Sequence, residues 1–178
     1  TVPDDYDALY IAVSTVSKVE QTDVLMYMDD VTIIPAGTTA RDTYVYPTSA
    51  APDAELSGGL KLTEDENQKG WKTILPTNGP PGVAAFAIET PQADLYRVFA
   101  RVKAPQAPTE LAVSIDGKRA GIFQLGKSVN YAWLELTPDA GHKLQRLSAG
   151  RHTVTVAFPR DSGGVIQKIC LTNELAGR

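Results

Sequence analysis

From Leu95 to Asn173, apolar and polar residues alternate in one short run after another, and each run is bounded by Gly, Pro, Asn or Asp. The runs cover 95–102, 111–117, 131–136, 147–158 and 165–173. A period of two sends successive side chains to opposite faces of an extended strand, so each run has one face to bury and one to wet. Short strands at close spacing, with turn residues between them, specify an all-β antiparallel sandwich of jelly-roll type. The pattern predicts strands at 54–62, 71–75, 83–90, 95–103, 110–116, 119–125, 131–137, 151–158 and 165–172. Asp116-Gly117 separates two of them as a tight hairpin, because both residue types tolerate positive φ. Helical periodicity is nearly absent, and Asp65–Lys69 offers at most one turn.

Facing is legible in two strands. Tyr96, Val98, Ala100 and Val102 share one side of their strand, against Arg97, Phe99 and Arg101 on the other. In the run 131–136, Ala132, Leu134 and Leu136 oppose Tyr131, Trp133 and Glu135. If the aliphatic set is the core, two aromatics stand on an outward face.

The first part of the chain reads differently. Residues 8–16 and 23–34 look like two strands joined by the polar loop 17–22, and 35–52, rich in Thr, Ala, Ser, Gly and Pro, resembles a linker or a long surface-hugging crossing segment. We therefore expect a strand pair in 1–48, either the end of a preceding sandwich or extra strands of the main one. The principal module is expected to occupy 49–178.

Composition narrows the function. The net charge is −4, with both signs interspersed, and no basic patch suggests nucleic acid or an anionic membrane as a partner. No run reaches the roughly eighteen apolar residues of a membrane-spanning helix. Cys170 is the single cysteine and is expected to be a small buried hydrophobe in the last strand. Thr1 is not an initiator residue, which is compatible with a leader removed by processing.

Catalytic arrangements fare poorly. Tyr27-Met28-Asp29-Asp30 is similar to the metal-binding hairpin of reverse transcriptases, but an acidic chain of this size lacks the basic template channel such an enzyme needs. His142 and His152 are the only histidines, and no Gly-x-Ser-x-Gly elbow accompanies them. His152 is expected to be a satisfied histidine at the sheet margin, and His142 a solvated turn residue. A glycosidase needs two carboxylates facing each other across a cleft. The cluster Glu64, Asp65 and Glu66 instead reads as a solvated acidic turn. We expect no enzyme.

Six segments, in order, carry a family resemblance. They are Asp53-Ala54-Glu55, Gly82-Val-Ala-Ala-Phe-Ala-Ile88 with Asp94-Leu-Tyr-Arg-Val-Phe-Ala-Arg101, Ile115-Asp116-Gly117, the strand of Trp133, Ala149-Gly150-Arg151-His152-Thr153, and Ile169-Cys-Leu-Thr-Asn173. Together they resemble carbohydrate-binding modules of families six and thirty-five, whose fold is a galactose-binding-like jelly roll. The resemblance covers about residues 53–173 and leaves 1–48 outside.

The resemblance implies a non-catalytic carbohydrate-binding or accessory module of a larger secreted, bacterial polysaccharide-active protein. Its partners would be a polysaccharide or oligosaccharide and other domains of the same polypeptide. It also raises a structural calcium ion, with Asp53 and Glu55 as ligands and an Asp in the closing strand. That last position is Gln167 here, and a neutral amide weakens a calcium site, so the alternative is no cofactor.

Sugar recognition needs aromatic rings under the apolar faces of pyranoses and planar polar groups for their hydroxyls. Trp71, Tyr131 and Trp133 are the stacking candidates. Asn130, Arg160 and Asp161 are the hydroxyl-binding candidates, with Asn78 and Asn173 behind them. Arg97, Arg101, Arg151 and Arg160 leave open whether the sugar is neutral or anionic. The competing reading is a structural sandwich domain with no glycan ligand, serving as an interface. Burial of both Trp71 and Trp133 in the core would favour it.

Overall fold

The computed structural model describes residues 45–65, 68–139, 144–160 and 162–173. These form two antiparallel sheets, as the alternating pattern requires. The seven-stranded sheet runs β10 (Gln145–Leu147), β6 (Asp94–Ala104), β12 (Val165–Thr172), β4 (Gln68–Pro76) and β3 (Leu60–Asp65). To it are added β1 (Thr48–Ala50), against β12, and β9 (Ser128–Glu135), against β6. The five-stranded sheet runs β2 (Glu55–Gly58), β5 (Gly82–Thr90), β11 (Gly150–Phe158), β7 (Thr109–Ile115) and β8 (Lys118–Leu125).

The core lies between the sheets and follows the predicted parity. Tyr96, Val98, Ala100 and Val102 of β6 are buried, as are Ala84, Phe86 and Ile88 of β5 and Val154, Val156 and Phe158 of β11. Each large side chain in this layer contributes roughly 1.5–3 kcal/mol through removal of apolar surface from water. The phenol of Tyr96 donates to the backbone carbonyl of Gln92 at 2.9 Å, which satisfies its one polar atom.

Four differences from the sequence reading have physical causes. The run 54–62 is two strands, because Gly58 at φ +70° lets the chain leave the five-stranded sheet and enter the other at Leu60. Part of the expected crossing segment 35–52 is β1, which pairs Thr48 with Cys170 and Ala50 with Lys168. The expected helical turn at Asp65–Lys69 instead contains the end of β3 and the start of β4. Cys170 is half-buried rather than in the core, since its parity places it opposite Phe99, away from Ile169 and Leu171.

The Asp116-Gly117 hairpin forms as expected, with φ +49° and +77° at its two central residues. Val45 donates its backbone N–H to Oδ1 of Asn173 at 2.8 Å, so the sandwich is hydrogen-bonded from the first described residue. The strands expected at 8–16 and 23–34, together with Tyr27–Asp30, lie outside the described residues.

Candidate functional site

β9 pairs with β6 so that Arg101 faces Trp133 and Val102 faces Ala132. Val102 is core, so β9 turns Leu134, and Leu136 just after it, toward the interior, with Ala132 on the same side but exposed, and its aromatic side turns out with Arg97, Phe99 and Arg101. Trp71 follows Gly70 at the beginning of β4 and reaches the same outer face, where its ring meets the Arg101 guanidinium. Trp71 is 36 % exposed and Trp133 43 %, so neither is in the core.

Arg101 is the hub of this face. Its guanidinium carbon lies 5.2 Å from the centroid of the Trp71 ring and 5.3 Å from that of Tyr131. The residue is only 4 % exposed. A desolvated guanidinium against two π-faces is worth up to about 2 kcal/mol per ring and fixes the ring planes.

Beneath the rings is a polar cluster. Tyr131 donates its phenolic proton to Oδ2 of Asp65 at 2.6 Å, and Lys103 Nζ donates to the same oxygen at 2.7 Å. Lys103 also sits 4.4 Å from the Tyr131 ring centroid. Burial, then the hydrogen bond to Asp65 and its negative charge, push the Tyr131 phenol far above its ordinary value. Farther along the sheet, Arg97 forms a bidentate pair with Glu135 at 2.9 and 2.8 Å.

Asp65 and Glu135 are thus each held by a cation. The expected solvated acidic turn is corrected accordingly: Glu64 and Asp65 belong to β3, and Asp65 is buried. Glu66 lies outside the described residues. Sequence reasoning missed Asp65 and Lys103 as parts of this face. The parity of Lys103 with Arg101 was a usable signal, but nothing local connects Asp65 to a tyrosine 66 positions away.

The hydroxyl-binding candidates are dispersed. Asn130 has the opposite parity to Tyr131 and lines a small hollow of about 180 Å³ with Ala132 and Leu134, on the side away from the aromatic rings. Its backbone N–H is taken by the Ser128 hydroxyl at 3.1 Å. Arg160 is exposed after β11 of the five-stranded sheet, and Asn78 is exposed between β4 and β5. Asn173 holds Val45 and donates to Oδ2 of Asp94 at 3.1 Å. Asp161 and His142 lie outside the described residues.

His152 is buried with both ring nitrogens engaged, Nδ1 with Oδ2 of Asp116 at 2.6 Å and Nε2 with the Ser148 carbonyl at 3.0 Å. It pins the β7–β8 hairpin to the chain entering β11.

The calcium ligands do not assemble. Asp53 and Glu55 are both exposed, and among the described residues no three His, Cys, Asp or Glu side chains converge on a point. Gln167 is 1 % exposed and donates to Oε1 of Gln68 at 3.2 Å. Its own Oε1 has no partner among the described residues. One neutral oxygen does not replace the several charged ones that calcium requires, so this donor set does not fit the ion.

No family model matches the sequence, and no curated protein does. Solved structures do match. A family 35 carbohydrate-binding module from Clostridium thermocellum superposes with a TM-score of 0.57 at 17% identity, over 71% of this chain and 97% of its own. The fold is that of a carbohydrate-binding module. A second module, from Cellvibrio mixtus lichenase 5A in complex with cellotriose, gives 0.54 at 17% identity over 72% of this chain and 96% of that one. The Podospora anserina GH26-CBM35 β-(1,4)-mannanase gives 0.59 at 18% identity. There the match takes in 75% of this chain but only 28% of the mannanase chain.

Proposed function

We propose that this chain is a non-catalytic carbohydrate-binding module of a larger, secreted polysaccharide-active protein, and that the outer face of the seven-stranded sheet is its glycan platform. One observation carries the reading. The chain has two tryptophans, and both stand partly exposed on that face beside the same buried arginine. Exposing an indole to water without a ligand forgoes the large apolar burial that such a ring offers, whereas a pyranose presents a matching apolar face.

Part of the platform is held in place before any ligand arrives. Arg101 fixes Trp71 and Tyr131 from one side, and Asp65 with Lys103 fixes Tyr131 from below. Pre-organisation of this kind lowers the ordering cost of binding. β9 and β4 are three interstrand steps apart, roughly 14 Å, so the platform suits a chain of sugars better than a single ring. The fold shared with the lichenase module in complex with cellotriose supports the same reading. The polypeptide beyond this module would supply the catalytic and anchoring parts.

Affinity electrophoresis through gels cast with a panel of polysaccharides tests the proposal. Wild type is retarded by at least one of them, and Trp71→Ala and Trp133→Ala each lose most of that retardation. Free migration of wild type in every gel would leave the structural-domain reading in its place.

A further inference from the structure

We infer that the glycan taken by this face is uncharged: the cations surrounding the aromatic rings are already committed to internal partners. This rests on the platform reading and sharpens it. A uronate or sulfate group is recognised by a cation with open donors, most strongly by the bidentate fork of an arginine. On this face the arginine forks are occupied. Arg97 spends its fork on Glu135 through two bonds. Arg101 is 4 % exposed and lies against two rings. Lys103 is bonded to Asp65 at 2.7 Å, with 12% of its side chain exposed. Lys168, opposite Arg101 on β12, is 7 % exposed.

An anionic sugar set between Trp71 and Trp133 would therefore meet only committed cations, since Lys69 and Lys72 beside Trp71 stand out in water at the sheet edge, and prying Lys103 or Arg97 loose would strand Asp65 or Glu135. Both routes are costly. Neutral hydroxyls meet no such penalty. Among the described residues, the remaining cations lie toward the margins of this face, with Lys127 exposed just before β9 on the hollow that Asn130 lines. Lys61, Lys69 and Lys72 are exposed at the β3–β4 edge, and Arg146 is exposed beside Leu95. Arg146 is about 20 Å along β6 from Arg101. Arg151 and Arg160 belong to β11 of the other sheet and the turn after it.

The experiment is affinity electrophoresis of the intact chain in paired gels. One set contains neutral polymers (mannan, xylan, mixed-linkage β-glucan), and the other contains polygalacturonate and alginate. Each is run at low and high sodium chloride. The expected result is retardation by a neutral polymer with an apparent Kd that moves less than about twofold with salt. The variant Lys61→Gln/Lys69→Gln/Lys72→Gln, altered only at exposed edge lysines, is expected to match wild type there. Retardation by an acidic polymer that weakens about tenfold or more with salt would overturn the inference while leaving the platform reading standing. Loss of neutral-polymer retardation in the lysine variant would place the site at the β3–β4 edge and remove the platform reading, and this inference with it. Free migration through both sets of gels would remove the platform reading, and this inference with it.

Discussion

The phenol of Tyr131 and the carboxylate of Asp65 meet at 2.6 Å across 66 positions of sequence, on an oxygen that also accepts from Lys103. One buried atom thereby ties β3, β6 and β9 together behind the aromatic face. Removing one partner of a buried pair leaves the other charge unmatched, whereas removing both is far milder. Asp65→Ala is expected to destabilise the fold by about 3 kcal/mol in urea unfolding. Asp65→Asn/Lys103→Met should recover a large part of that loss. Equal destabilisation by the single and double variants would mean that the pair is not coupled.

The same contact makes the fold sensitive to alkali. Burial, the bond to Asp65 and its charge raise the Tyr131 phenol above 10.0, its ordinary value. The folded state then holds a proton that the unfolded state releases, so stability falls as pH climbs above the ordinary tyrosine value. Thermal melts across that range should show a steeper decline for wild type than for Tyr131→Phe. Parallel declines would contradict the assignment.

His152 and Asp116 give a second, opposite pair of dependences. Burial works against the charged imidazole, but hydrogen bonds to Asp116 and Ser148 and the charges of Asp116 and Glu89 outweigh it, so the His152 pKa is raised from 6.5. Its contribution is full below 6.5 and is lost as pH rises through the folded value. For Asp116, burial is again opposed and outweighed, by the His152 bond and the Thr153 N–H, and its pKa is lowered from 3.8. That contribution is present above 3.8 and is lost as pH falls through the folded value. Wild type should lose stability between mildly acidic and mildly alkaline pH, and His152→Gln should be flat over that interval. A wild-type profile as flat as that of the variant would refute the pairing.

The crossing between sheets rests on Gly58. A Cβ there would collide with the carbonyl oxygen of Pro81, at a φ of +70° that side chains rarely adopt. Gly58→Ala should cost about 1–3 kcal/mol. Gly117→Ala, at φ +77° but with open space around it, should cost less. Chemical denaturation of the two variants side by side decides the order.

What was legible in the sequence was whatever depends on residue parity. β6 and β9 could be assigned faces, and their faces put Tyr131 and Trp133 on the outside as soon as Ala132 met Val102. The Asp116-Gly117 turn was legible because few residues accept its backbone. The Asp65–Tyr131–Lys103 cluster was not, since it is made by three strands that only tertiary pairing brings together. The run 54–62 hid a change of sheet for a related reason: Ser57-Gly58-Gly59 permits a crossing, but only the packing of Pro81 and Gly82 requires one. Asn130 looked like a neighbour of Tyr131 in sequence, and its parity turns it to the opposite side.

Because both tryptophans of the chain stand on the proposed platform, intrinsic fluorescence reads that face and little else. The most direct measurement is therefore acrylamide quenching of tryptophan emission, with and without the polysaccharide that retards the protein in gels. A glycan stacked on Trp71 and Trp133 is expected to shift the emission to the blue and to lower the quenching constant, with each single Trp→Ala variant retaining a reduced response. Retardation in the gel with unchanged emission and unchanged quenching would place the sugar elsewhere on the molecule and contradict the account.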